Sequence, residues 1–262
     1  MIKKIELYPN TTKIEAIKLS KEVGEALVNE GYEIVEKSPD LIIGFGGDGT
    51  LLNLLFSRLY NLNSYYLGVN CGTLGFLQDF EIVENAHDFA KKIKTYTAKE
   101  IKLASLKVVD KKDSNTFYAL NEMYIVSDEE KSIRMEVMVN NDFLESYVGT
   151  GLIFSTPTGS TAHSLSAGGA VIYPGMDSLE MTPSEAIVNR KIRCFPRSIC
   201  FSAENEIILR PSESQKIKIV ADGIKVYTGD FDKLVVKIGE KVIYKINNPE
   251  KNFCDIFREK IM

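Results

Sequence analysis

The sequence predicts an α/β N-terminal domain, Rossmann-like and doubly wound, followed by a β-rich, sandwich-like C-terminal domain. Two observations carry that reading. Up to residue 98, apolar strands alternate with amphipathic helices, the rhythm of a parallel sheet covered by helices. From 99 to 248, most segments are short, β-like and separated by turn residues, as in packed antiparallel sheets.

The elements follow in order. Residues 2–8 alternate apolar and polar side chains and read as a strand. Thr11 or Thr12 is the expected cap of the next helix, with Ile14, Ile17, Leu19, Val23 and Leu27 roughly on one face and Gly31 at its end. Residues 40–43 form a short apolar strand suited to burial. A glycine loop follows, then a helix from Leu51, a strand at 65–69 and a helix at 82–96. The second domain offers strands at 101–109, 116–126, 134–139, 207–209, 217–220, 225–228, 234–238 and 242–246. Turn signals stand at Asn140-Asn141-Asp142, Asp222-Gly223 and Gly239-Glu240. Residues 249–262 read as a terminal helix.

Composition narrows the function. The chain has 262 residues, 44% hydrophobic and 26% charged, enough for a buried core. A net charge of −4 argues against broad nucleic-acid binding, which needs clustered cations against phosphate. No apolar run is long enough for a bilayer, and Met1-Ile2-Lys3-Lys4-Ile5 does not open a signal peptide. The four cysteines show no CxxC spacing and read as reduced thiols of a cytoplasmic protein. With only His87 and His163 present, a histidine-rich metal site is not expected.

Gly44-Phe45-Gly46-Gly47-Asp48-Gly49 fits G-x-G-x-x-G between a strand and a helix. Two details oppose a dehydrogenase. The acidic residue expected about 20 positions on is replaced by Val69, Asn70, Cys71 and Gly72. Asp48 also places a carboxylate inside the loop, which would repel phosphate unless it takes a proton or holds a metal ion. The loop is not a Walker A motif, because no Lys follows Gly49. Phosphate would then rest on backbone N–H groups and the helix N-terminus. Taken alone, the pentapeptide also fits a tight turn with Asp48 as helix cap.

Asn121-Glu122 places a hydrogen-bonding pair in the strand 116–126, though an exposed edge carboxylate fits the dipeptide equally. More specific is the run from Gly151 to Gly169, where an apolar strand enters Pro157-Thr158-Gly159-Ser160-Thr161 and then small residues at helical spacing. Its hydroxyls and glycines suit close approach of a ligand to backbone. Ser155 and Ser160 do not sit in G-x-S-x-G, so a hydrolase elbow has no support. No carboxylate in the neighbouring sequence orients His163.

Together, Gly46-Gly47-Asp48-Gly49-Thr50, Leu120-Asn121-Glu122, the run 155–162 and Ser166-Ala167-Gly168-Gly169 resemble the bacterial NAD kinase family. The motifs stand in the right order and spacing across the whole chain. The resemblance implies phosphorylation of the adenosine ribose 2′-hydroxyl of NAD to give NADP. It implies ATP as donor, or polyphosphate in some members, with a divalent metal, Mg2+ or Mn2+. By that resemblance, Asp48 matches the catalytic base, and Gly46, Gly47 and Gly49 the phosphate loop. Asn121, Glu122, Thr161, Ala162 and Ser166 match NAD contacts, His163, Ser164 and Leu165 fall within the same binding stretch, and Ala186 is similar to a further contact. The family forms dimers and tetramers, so a homodimer or homotetramer is implied. Asp222-Gly223 resembles a hairpin that nears the site from an adjacent subunit.

Three positions depart from the pattern. The family usually has Asp where this chain has Thr150 and Tyr where it has His163, and some members have Arg at the place of Val148. The expectation is that the nicotinamide side of the ligand is held differently. Two alternatives stay open: a diacylglycerol-type lipid kinase of the same superfamily, and a nucleotide-binding protein with impaired catalysis.

Overall fold

The structure is a computed structural model and describes residues 2–72, 75–78, 80–81, 85–110, 113–129 and 131–262. The chain forms two compact units, Met1–Ile101 with Ile243–Met262, and Lys102–Val242. The first unit runs β1 (Lys4–Pro9), α1 (Ile14–Asn29), β2 (Glu33–Ile34), β3 (Leu41–Gly46), α2 (Asp48–Ser57), β4 (Tyr65–Asn70) and α3 (Ala86–Lys92), reaching the start of β5 (Ala98–Val109). The second continues with β6 (Ser114–Ala119), β7 (Glu122–Ser127), β8 (Ile133–Val139), β9 (Asp142–Gly149), β10 (Gly151–Ser155), α4 (His163–Ser166), β11 (Ser178–Ser184) and β12 (Ile199–Ser202). After β13 (Ile207–Pro211), β14 (Ile217–Ala221) and β15 (Ile224–Gly229), β16 (Lys233–Ile246) returns to the first unit, which ends in α5 (Phe253–Ile261).

The first unit is the expected parallel α/β layer, with strand order β2-β1-β3-β4 and the last residues of β16 beside β4. One face of β3 sends Leu41, Ile43 and Phe45 into a core shared with Ala16, Val23 and Leu27 of α1 and Phe89 and Ala90 of α3. Alternation turns Ile42 and Gly44 to the other face, leaving that side for α2, whose Leu51, Leu54 and Leu55 are buried outside the first core.

The second unit is a sandwich. Its antiparallel sheet β12-β11-β10-β7-β14-β15 shares one core with β5, β6, β8, β13 and the first half of β16. Met123, Ile125, Leu152 and Phe154 come from one layer, and Leu106, Val137, Leu209 and Leu234 from the other.

Several local expectations are corrected. The residue before α1 is Lys13, with no side-chain cap; the Thr12 hydroxyl instead donates to Asn10 Oδ1. Ile14 is 79% exposed, because the buried face of α1 runs through Ala16, Ser20, Val23, Gly24 and Leu27 at true helical spacing. Helix α2 begins at Asp48, three residues before Leu51. For the helix expected at 82–96, residues 82–84 lie outside the described ones; Asn85 caps α3 and a 3-10 turn follows at Ile93–Thr95. The strand 116–126 is two strands parted at Leu120-Asn121. Gly239-Glu240 makes no turn: β16 runs through it, with Gly239 at φ +92, because residues 234–236 pair with β13 and 244–246 with β4. Strands β9, β11 and β12 are not among those the sequence predicts; β11 is almost wholly buried, with Leu179 and Met181 in the core and Glu180 and Thr182 buried on its opposite face.

Candidate active site

In the first unit, β3 ends at Gly46 and α2 starts at Asp48, so the loop is a strand-to-helix turn. Its glycines fall into two kinds. A β-carbon on Gly46 would lie 2.2 Å from Thr50 Oγ1, so the turn itself requires that glycine. A β-carbon on Gly47 or Gly49 would meet nothing within 4 Å. Those two bare positions leave open space over a helix N-terminus, where an anion is favoured.

Asp48 does not cap its own helix. Its carboxylate reaches across to the segment after β4, where Oδ2 accepts from Phe76 N and Oδ1 from Leu77 N, both at 3.0 Å. Gly75 makes this possible, since a β-carbon there would stand 1.9 Å from Oδ1. Lys260 of α5 donates to Oδ2 at 3.1 Å. Gln78 braces the loop from below, its Nε2 donating to Gly47 O and to the Tyr66 hydroxyl. Gly68 leaves the room for it. A carboxylate has about four lone-pair directions; three are taken here, and one on Oδ1 remains among the described residues.

In the second unit, the break between β6 and β7 is pinned from two sides. Asp222 takes the N–H groups of Leu120, Asn121 and Glu122 on its carboxylate. Thr156 Oγ1 donates to Leu120 O, and Thr156 N donates to Asn121 O. Gly159 lies so close that a β-carbon would be 2.1 Å from Asn121 O. The fixed backbone presents Asn121 half-buried, and among the described residues nothing bonds its side-chain amide.

Glu122 is only 8% exposed. Burial pushes its carboxyl up to about 7, the nearby Asp222 charge adds to this, and the backbone N–H of His163 partly offsets both. Its Oε2 is buried with no partner. An orphaned acid of this kind is a functional-site signal.

The Gly151–Gly169 run is divided in use. Ser164 is fully buried, and its hydroxyl donates to Glu180 Oε2 and pairs with Thr182 Oγ1. Its hydroxyl is therefore engaged within the fold. Gly169 lies against Ser164, where a β-carbon would stand 2.2 Å from its Oγ. His163 and Ser166, both exposed, line an open cleft of about 350 Å3 with Ala167, Ser184 and Glu185. The His163 ring stands edge-on to Tyr124 at 5.2 Å. Thr161, Ala162 and Leu165 are half-buried beside it in sequence, and Ala186 packs on the core.

Thr150 Oγ1 donates to Glu185 Oε2 at 2.6 Å. The acid that the family usually has at position 150 is thus replaced by a hydroxyl that holds an acid at 185. Glu185, Lys260 and the capping role of Asp222 were missed in the sequence. Glu185 has φ 49, unusual for a non-glycine residue, and no sequence pattern signals it.

Comparison with known proteins agrees with both halves. The model of the ATP-NAD kinase N-terminal domain matches residues 2–101, and that of the ATP-NAD kinase C-terminal domain matches 120–246. A NAD kinase of Lactobacillus gasseri is 32% identical over 239 residues, covering 88% of this chain and 87% of its own. The chain belongs to the NAD kinase family. A NAD kinase of a Thermoanaerobacter species is 33% identical over 288 residues, covering 99% of each chain. The fold matches a yeast NADH kinase solved with NADH at TM-score 0.81 and 18% identity, over 99% of this chain and 87% of that one. It also matches a NAD kinase from Archaeoglobus fulgidus solved with ATP, at TM-score 0.76 and 21% identity, over 99% of both.

Proposed function

We propose that this NAD kinase phosphorylates the adenosine ribose 2′-hydroxyl of NAD with ATP, giving NADP and ADP, with Asp48 as the base. The observation that carries the reading is the fixed Asp48 carboxylate, with one lone pair left, beside two glycines that open onto free space. The 2′-oxygen bonds to the γ-phosphorus as the bond to the ADP oxygen breaks, and the hydroxyl proton passes to Asp48. A loose transition state of this kind is served mainly by positioning and charge, which a rigid carboxylate and a helix N-terminus supply. On the acceptor side, Asn121 and Glu122 hold the adenosine through the free amide and the orphaned Oε2. Thr161, Ala162, Ser166 and Ala186 carry further contacts, with Thr150 and His163 toward the nicotinamide end.

Among the described residues, no group of three or more His, Cys, Asp or Glu is placed to hold a metal ion. The donor set fits an Mg2+ or Mn2+ ion brought in on the donor's phosphates, which needs only one or two protein carboxylates. Asp48 is the nearest loop carboxylate and would face such an ion through its water shell, since its one remaining lone pair takes the hydroxyl proton; the ion would neutralise phosphate charge there. No helix is long and apolar enough to cross a membrane among the described residues. The reading extends to a cytoplasmic homodimer or homotetramer, supported by family resemblance and by free thiols at Cys71, Cys194, Cys200 and Cys254, which suit a reducing compartment.

The test is a coupled assay for NADP formation, comparing ATP with polyphosphate, NAD with NADH, and Mg2+ with Mn2+. A diacylglycerol acceptor is run in parallel. Asp48→Asn is expected to lose about 10²–10⁴-fold in turnover while NAD still binds. Phosphate transfer to the lipid but not to NAD, or full turnover in the variant, would overturn the reading.

A further inference from the structure

The phosphate loop carries no lysine of its own: Thr50 follows Gly49 where a P-loop has its lysine. Its one charged group, Asp48, has the wrong sign for a triphosphate. The first unit contains a cation at this spot, delivered from the far end of the chain. Lys260 Nζ lies 3.1 Å from Asp48 Oδ2 and 4.7 Å from the centre of the Phe76 ring. It belongs to α5, which Asn252 caps through Asp255 N and which buries Ile256. Phe253 of the same helix packs on Phe76 at 6.1 Å. The helix is thus seated on the segment that holds Asp48, and its last turn brings an ammonium group to the loop.

We propose that Lys260 binds the phosphate donor, supplying from the C-terminal helix the cation that the loop lacks. The proposal rests on the kinase reading above and deepens it. Three features point this way. The ammonium has three donors, and among the described residues one is used, on Asp48. Its side chain is 33% exposed, so a phosphate oxygen can reach it. It sits on the carboxylate of Asp48, the first residue of α2, whose two chain neighbours Gly47 and Gly49 open onto free space. With the donor absent, Lys260 offsets the charge of Asp48. With the donor bound, the same ammonium bridges Asp48 and a phosphate oxygen, so base and donor are positioned by one group. The Phe76 ring face below it favours the cation and limits where it can swing.

The experiment measures ATP binding to the full chain by calorimetry without NAD, and then steady-state kinetics. Three variants are compared: Lys260→Ala, Lys260→Met, which keeps an apolar stem on Phe76, and Lys260→Arg. Loss of a charge-assisted phosphate contact is expected to weaken ATP binding by about tenfold or more in both Ala and Met. The KM for ATP rises, the KM for NAD stays at the wild-type value, and Arg restores most of the affinity. Wild-type ATP affinity in Lys260→Met would overturn the proposal, even if Lys260→Ala folds poorly. Equal losses for ATP and NAD in Lys260→Met would also overturn it, showing a structural role. Failure of the kinase reading looks different: the wild type would bind ATP through Lys260 yet make no NADP.

Discussion

The carboxylate of Asp222 accepts the backbone N–H of Asn121 at 2.7 Å, across 101 residues of sequence. Its other oxygen takes Leu120 N at 2.8 Å, and Asp222 N returns a bond to Glu122 O. Resemblance placed the Asp222-Gly223 hairpin against a neighbouring subunit's site. The structure gives Asp222 a task within its own chain, which is to hold the Asn121-Glu122 backbone in shape. Replacing Asp222 by Ala is expected to cost about 2–4 kcal/mol, because charge-assisted bonds are lost and buried N–H groups stay unpaired. The melting curve reads that loss. The KM for NAD should rise with it, and an unchanged KM would separate Asp222 from the acceptor site.

The loop glycines give a paired prediction. Gly75→Ala forces its methyl group onto Asp48 Oδ1, so turnover should fall nearly as far as in Asp48→Ala while the fold survives. Gly49→Ala meets nothing in the protein and gains up to about 1 kcal/mol of helix propensity. Its expected signature is equal or higher stability with a raised KM for ATP. A Gly49→Ala enzyme with wild-type ATP kinetics would show that no ligand approaches that position.

Glu122 makes stability pH-dependent with a definite sign. In the folded chain it keeps its proton up to about 7, whereas the ordinary value is 4.5. Between those values the folded state binds the proton and the unfolded state does not, so stability falls as pH rises through the window and levels off above it. The shift corresponds to about 3 kcal/mol. Glu122→Gln removes this dependence. Denaturant titrations should show the variant gaining on the wild type between pH 4.5 and pH 8, and a constant gap would refute the assignment.

Ser164 and Ser166 stand two residues apart on α4 with opposite surroundings. Ser164→Ala removes a buried hydroxyl that serves Glu180 and Thr182, so about 1–3 kcal/mol of stability should go, with NAD kinetics of the folded enzyme little changed. Ser166 is exposed in the cleft. Ser166→Ala should leave the melting temperature in place and raise the KM for NAD. Reversed outcomes would mean that the cleft is not the acceptor site.

The sequence by itself determined the fold class and the strand-turn-helix frame of the loop. Strand and helix periods are local, and a strand-turn-helix with Gly46, Gly47, Asp48 and Gly49 is read within a few residues. The motifs also identified the family, because three separated segments had to agree. Only the tertiary structure decided which of those residues are buried within the fold and which are exposed. Ser164 and Ser166 look alike in sequence, yet one hydroxyl is buried on β11 and the other opens to a cleft. Strand β11 went unseen because its buried Glu180 and Thr182 are stabilised by hydrogen bonds rather than by apolar contact. Lys260 lies 212 residues from Asp48, and Asp222 lies 101 from Asn121. Pairs that distant obey no period or spacing rule. They meet because α5 docks through Phe253 on Phe76 and because β14 pairs with β7. Packing chooses which groups become neighbours, whatever their distance along the chain.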